Sequence, residues 1–406
     1  MQKMIPLSIP NFEGNEKKYV NEALDQGWVS TGGAYITRLE GQLASFLKTE
    51  NVAACQSGTS ALHLSLIEAG VGPGDVVLVP PLTFIAAVNP VRYQQAVPVF
   101  IDCDDSFCMD PVKLRSFCEE ECLFDGTVLT HRGRAVKALI VVHVFGNMAD
   151  MEAIMDIAGK YHLQVIEDAT EALGTHYTAG RYEGRYAGTI GHFGAFSFNG
   201  NKIITGTSGG MLLTDDEATA KEVRKLSTQS RENAPWYQHT EMGYNYRMSN
   251  IVAGVVRGQL PHLDEHIAQK KAVYERYKKG LAGIPVTMNP FEEENGTPNY
   301  WLSCITVNKE AMCEQYRGDT DVTYVKEKGK SCPTEILDAM LSINAEGRPL
   351  WKPMHMQPIF AENGYVSVSG DTGADLFERG LCLPSDNKMT EEQQNRIIEV
   401  IRSCFE

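Results

Sequence analysis

The sequence predicts an α/β protein built on a mostly parallel sheet with helices on both faces. Seven short apolar runs recur through the first half of the chain, at residues 52–55, 76–79, 97–101, 138–144, 163–166, 193–198 and 211–213. Near-continuous apolarity of this length is what a strand buried on both faces shows. The segments between the runs are long enough for helices, and that alternation is the mark of a parallel sheet covered on both sides. A chain of 406 residues exceeds what one such layer needs, so the expectation is a large domain over residues 1–260 and a smaller α+β domain over 261–406.

Composition narrows the classes of partner. Acidic residues outnumber basic ones 52 to 37, which argues against a general nucleic-acid surface and requires any phosphate-bearing ligand to meet a local basic cluster. No run of about 18 uncharged apolar residues and no signal-peptide pattern at MQKMIPLSIP is present, so the expectation is a soluble protein of the cytoplasm with no membrane partner. The ten cysteines are scattered, with no paired CxxC spacing, and the expectation is free thiols and no metal.

In chain order, residues 15–26 read as an exposed helix, and the next helix carries Ile36, Leu39, Leu43 and Phe46 on one face. The first strand runs into Ser57, Gly58 and Thr59, and helical spacing follows at Leu62 and Leu66. Free amides and small hydroxyls at that helix start suit a phosphate, or serve as an ordinary cap. The second strand ends in PPLTF, bringing Thr83 and Phe84 to its mouth, where Phe84 either stacks on a flat ligand or belongs to the core. Residues 117–137 read as a connection with a small hairpin carrying His131, Arg132 and Arg134.

The strand LQVIEDATEALG delivers Glu167 and Asp168 at its end, one able to hold a heteroaromatic nitrogen protonated, the other a turn cap. FGAFSFNGNKIITGTSGG then runs from a strand into an amide-rich turn that presents Lys202 beside Thr205, Thr207 and Ser208. A lysine partly desolvated at such a strand mouth is suited to Schiff-base chemistry. Ser249 opens a helical stretch expected to reach residue 281, and a strand is expected at 301–307. GRPLWKPMHMQP groups Arg348, Trp351, Lys352 and His355 between prolines, either to grip a diphosphate or as a solvated connector. Thr390 and Gln393 form a capping box that starts the last helix.

Open α/β sheets gather their ligands at the carboxyl ends of the strands. A phosphate cradle, a carboxylate for a ring nitrogen, an aromatic stacker and a Schiff-base lysine at neighbouring strand ends together describe pyridoxal phosphate, whose ring acts as an electron sink. No P-loop and no GxGxxG after a strand competes with that reading.

The motifs SGTSALHLSL, PPLTFIAAVNPV, PVFIDCD, VIEDATEALG, FGAFSFNGNKIITGTSGGML, GYNYRMSN and RPLWKPMH stand in one order from about Ile9 to the C-terminus. In these the chain resembles the DegT family of nucleotide-sugar aminotransferases. With NGNKIIT and STQSREN, the last motif is most similar to the subgroup that aminates C4 of UDP-linked 4-keto-6-deoxy-N-acetylhexosamines.

The resemblance implies the aspartate aminotransferase fold (fold type I) and a homodimer with shared sites. It implies Lys202 as the lysine that attaches the cofactor and moves the proton, Asp168 on the pyridine nitrogen, and Gly58, Thr59 and Ser197 on the phosphate. Phe84 would stack on the ring, Asn245 would reach the phosphate of the other subunit, and Arg231, Tyr300, Arg348 and His355 would face substrate. L-glutamate would be the amino donor. Glu171 stands where the family usually has glutamine, adding a negative charge near the ring. The dehydratase branch replaces the lysine by histidine, so Lys202 disfavours deoxygenation. A dTDP-linked or 3-keto sugar, and a non-catalytic cofactor-binding regulator, are the alternatives.

Overall fold

The computed structural model describes residues 4–318, 321–368 and 370–406, so the opening MQK of the expected large domain lies outside the described residues. All seven expected strands form one sheet, in the order Asn51–Cys55, Gly210–Thr214, Phe193–Ser197, Gln164–Asp168, Arg134–Val142, Val76–Val79 and Val97–Ile101. An eighth, Tyr365–Val366, extends the sheet in parallel beyond Val97–Ile101. Along this order the pairing is parallel except at Gly210–Thr214, which runs antiparallel to both its neighbours; a short antiparallel hairpin, Leu123–Phe124 and Leu129–His131, adds to the start of Arg134–Val142 off that path.

That one reversed strand matters for the site. It brings its amino end, rather than its carboxyl end, to the edge where Cys55, Asp168 and Ser197 finish, and Gly209 bridges Ser57 there. A Cβ on Gly210 would stand 2.4 Å from the Ser57 backbone, so only glycine lets the strand and the following helix start approach so closely.

Differences from expectation have local causes. The Arg134–Val142 strand starts four residues early because Arg132 and Gly133, with φ of 50° and 73°, turn it back on Leu129–His131; positive φ at both turn positions matches the twist of a tight hairpin. The expected helix over 249–281 is two helices, Asn250–Gln259 and Leu263–Gly280, joined by a short 3₁₀ turn at Leu260–His262. Pro261 has no N–H to donate and its ring crowds the carbonyl one turn back. The strand expected at 301–307 narrows to Cys304–Val307, releasing Trp301 and Leu302 to a cavity wall.

A second, antiparallel sheet orders Val286–Met288, Cys304–Val307, Gly380–Cys382 and Arg348–Pro349. Its core gathers Tyr277, Ile305, Ile336, Leu381 and Ile397, and Ile5 from the N-terminus inserts into it. Conversely, Leu350, Met354, Phe360 and Leu376 from the last part of the chain pack into the core of the large sheet. Helix Glu391–Ser403 opens on the expected capping box, Thr390 and Gln393 each bonding the other's backbone. Among the described residues the ten cysteines are free, and no helix is long and apolar enough to cross a membrane.

Candidate active site

A cavity of about 560 Å³ opens at the ligand edge of the large sheet. Four strand ends supply much of its lining: Ser57, Gly58 and Thr59 after Asn51–Cys55, Thr83 and Phe84 after Val76–Val79, Asp168 and Glu171 at the end of Gln164–Asp168, and Ser197 and Lys202 at the end of Phe193–Ser197. Arg348, Trp301 and Trp351 close it from the side of the second sheet.

The phosphate end is built on the start of helix Gly58–Glu68. Ser57 caps it, its hydroxyl accepting from the Ser60 N–H at 3.0 Å. The first-turn amides of a helix have no partner within it and carry the positive end of its dipole. At Gly58 an added Cβ would come within 2.9 Å of Thr170 and 3.0 Å of Ser197. The missing side chain therefore keeps a concavity open between helix start, Thr170 and Ser197, which suits the phosphate of pyridoxal phosphate.

The two carboxylates at the end of Gln164–Asp168 divide their work by strand alternation. Glu167 is fully buried and accepts N–H groups from Gly188 at 2.9 Å, Ile190 at 2.6 Å and Gly191, and it also meets His143 Nε2 at 2.9 Å. His143 Nδ1 accepts the Ala149 N–H at 3.2 Å; since that amide can only donate, Nε2 carries the proton and donates to Glu167. Glu167 thus fastens the 188–191 turn. Asp168 points the other way, into the cavity wall, and accepts from the Thr170 N–H at 3.1 Å. Burial pushes its carboxyl above the ordinary range, against the Thr170 hydrogen bond and the charge of Lys202. An acceptor held in that way gains from a cationic N–H partner, which a protonated pyridine nitrogen provides.

Lys202 follows the turn closed by its own N–H to the Asn199 carbonyl, and its side chain is 13% exposed. Its Nζ donates to Glu171 Oε1 at 3.5 Å and lies 4.4 Å from the centre of the Trp301 ring. Glu171 also accepts from the Phe145 N–H at 2.9 Å, and burial raises its carboxyl to about 7 despite the Lys202 charge. Because the folded value lies above the ordinary one, Glu171 favours the fold below about pH 4.5 and that contribution is lost as pH rises through about 7. Glu171→Gln keeps an acceptor for Phe145 without the charge. It is expected to make the cofactor-free protein more stable at pH 8, by about 3 kcal/mol at most, and to leave stability at pH 5 unchanged. Urea unfolding of both proteins at the two pH values checks this.

The remaining expected residues are placed as follows. Phe84 lines the cavity mouth and is 58% exposed. Arg348 lines it too, its guanidinium paired with Glu346. Tyr300 is outside the lining: its ring packs on Tyr274 and Phe291 and its hydroxyl donates to Glu293. His355 is outside it as well, stacked on Tyr365 at 3.9 Å with Nε2 on Asp371 at 2.8 Å. The Tyr300 hydroxyl and His355 Nε2 are thus engaged away from the cavity, while His355 Nδ1 is buried without a partner. Arg231 lies over Tyr237, and Asn245 is exposed, its chain neighbours Tyr244 and Tyr246 stacking their rings on each other; neither lines the cavity of its own chain. Sequence reasoning passed over Trp301, Asn299 and His143, of which only His143 carried a signal, at the end of an expected strand.

The sequence model of the DegT/DnrJ/EryC1/StrS aminotransferase family matches residues 10–402. A Bacillus subtilis protein named as a pyridoxal phosphate-dependent aminotransferase, EpsN, is 40% identical over 100% of this chain and 97% of its own. The GDP-perosamine synthase of Caulobacter vibrioides is 34% identical over 98% of this chain and 97% of its own. The crystal structure of S. venezuelae DesV, in complex with a ketimine intermediate, superposes with a TM-score of 0.79 at 25% identity, covering 97% of this chain and 94% of that one.

Proposed function

The chain belongs to the DegT/DnrJ/EryC1/StrS aminotransferase family and is a pyridoxal phosphate-dependent sugar aminotransferase, and on that premise we propose that it aminates C4 of a UDP-linked 4-keto-6-deoxy-N-acetylhexosamine with L-glutamate as donor. The observation that carries the aminotransferase chemistry is an intact Lys202 whose Nζ sits in the cavity beside the buried carboxylates Asp168 and Glu171. When bound, the cofactor supplies an electron sink for the carbon that loses its proton.

The chain's residues do the rest. Gly58, Thr59 and Ser197 hold the phosphate, Phe84 covers the ring, and Asp168 keeps the ring nitrogen protonated. Lys202 would attach the cofactor and, once the donor amine has displaced it, its freed amine would take a proton from the donor Cα and return one at the cofactor carbon; in the second half-reaction it would work in reverse. Support for the UDP-sugar comes from the resemblance of RPLWKPMH, whose Arg348 and Trp351 line the cavity, arginine being a residue type suited to a diphosphate. Asn245 and Arg231, exposed and outside their own cavity, are assigned to the site of a second copy in a homodimer.

A GDP-linked 4-ketosugar is the second reading, favoured by the 34% identity to a GDP-perosamine synthase. Absorbance separates the two. The band of the cofactor-loaded protein is expected to bleach with glutamate and to return with the UDP-sugar. Return with a GDP-linked 4-keto-6-deoxyhexose alone replaces the UDP assignment, and failure of glutamate to bleach the band removes glutamate as donor.

A further inference from the structure

Trp301 and Asn299 tie the lysine, the carboxylate beside it and the second sheet into one unit. Trp301 is 3% exposed, and its indole N–H donates to the Asn201 carbonyl at 2.9 Å, which pins the ring to the turn that carries Lys202. Asn299 is fully buried. Its Nδ2 donates to the carbonyls of Glu171 at 2.8 Å and Leu173 at 3.0 Å, while its Oδ1 accepts the Trp301 N–H at 3.0 Å. One side-chain amide therefore sets the spacing between the Glu171 turn and the indole. Tyr300 between them has φ of 54°, a left-handed conformation that a tyrosine keeps only when its surroundings hold it.

We propose that Trp301, anchored by Asn299, is a positioning residue that holds the ammonium of Lys202 whenever that amine is not attached to the cofactor. This rests on the aminotransferase reading, in which the amine is freed and recaptured in each half-reaction. A freed lysine is a point charge on a flexible four-carbon stem. The ring face 4.4 Å away attracts the cation without being able to take its proton. Glu171 alone, at 3.5 Å, would hold the charge but also compete for the proton. The aromatic face therefore restrains the amine while leaving its acid–base work to the substrate.

The test is competitive labelling of the cofactor-free full chain with trace acetic anhydride, the Lys202 peptide being quantified by mass spectrometry against the exposed Lys221. Trp301→Leu is expected to label Lys202 about threefold faster or more, and Trp301→Phe, which keeps a ring face but loses the N–H to Asn201, to fall between wild type and Trp301→Leu. Trp301→Met serves as the second ring-free variant where leucine does not fold. In the loaded enzyme the ring-free variants lower kcat with little change in KM, and Trp301→Phe retains more of it than they do. Equal labelling in wild type and ring-free variants overturns the proposal, as does a Trp301→Phe protein as impaired as Trp301→Leu. Asn299→Ala is expected to raise labelling in the same direction, and no change there removes Asn299 from it. Labelling needs no cofactor, so a failed aminotransferase reading shows separately, as no absorbance band on adding pyridoxal phosphate.

Discussion

Lys202→Ala is expected to stop turnover while the fold and the cofactor cavity persist. The lysine lies against Glu171, and its charge draws Asp168 toward ionisation against the push of burial. A positioned acid–base group contributes roughly 10²- to 10⁴-fold, and loss of the attachment point adds to that, so single-turnover bleaching by glutamate should fall at least that far. Lys202→Arg separates charge from proton transfer. Arginine keeps a cation near Glu171 but stays protonated, so it should restore stability and leave turnover as low as alanine does. The alanine variant also strips Glu171 of the charge that opposes its burial. Its cofactor-free form should therefore lose stability more at pH 8 than at pH 5, which urea unfolding can follow. A lysine variant that turns over within tenfold of wild type would take Lys202 out of the chemistry.

How much of this was legible depends on the range of the interaction. The seven strands could be read because burial on both faces leaves a local mark, an apolar run, in each of them. The strand-end rule then placed Gly58, Thr59, Asp168, Ser197 and Lys202 around one cavity, since a parallel sheet collects its carboxyl ends whatever the order of strands. That Glu167 serves the fold and Asp168 the cavity is a matter of alternation along one strand, and sequence left the two exchangeable until the 188–191 amides were seen to converge on Glu167. Asn299 and Trp301 were out of reach for a different reason. Asn299 meets Glu171 across 128 residues, and TPNYWLS carries no periodicity that would announce it. Likewise the swap of Ile5 into the second core and of residues 365–366 into the first sheet depends on tertiary contacts alone.

Asp168→Asn is expected to move activity and stability in opposite directions. The amide is nearly isosteric and its oxygen can still accept the Thr170 N–H, which spans 3.1 Å in the native protein, so packing is preserved. It carries no charge, and a neutral acceptor does not hold a ring nitrogen protonated as a buried carboxylate does. Removing one preorganised electrostatic partner from a dry site typically lowers kcat by roughly 10²- to 10³-fold, and that loss is expected here with KM for the sugar little changed. Stability runs the other way because burial holds the Asp168 carboxyl above its ordinary range. Its contribution to the fold is fully present below the ordinary carboxylate value near 3.8 and is lost as pH rises through the raised folded value. At pH 7.5 the cofactor-free asparagine variant should therefore unfold at the same or a higher urea concentration than wild type, whereas a residue kept for structure would lose stability when changed. The cofactor reverses the comparison, because the positive ring nitrogen is the partner that the buried carboxylate lacks. Adding pyridoxal phosphate should stabilise wild type more than Asp168→Asn. If both are stabilised equally, the carboxylate is not the group that meets the ring, and the assignment of Asp168 fails with Lys202 untouched.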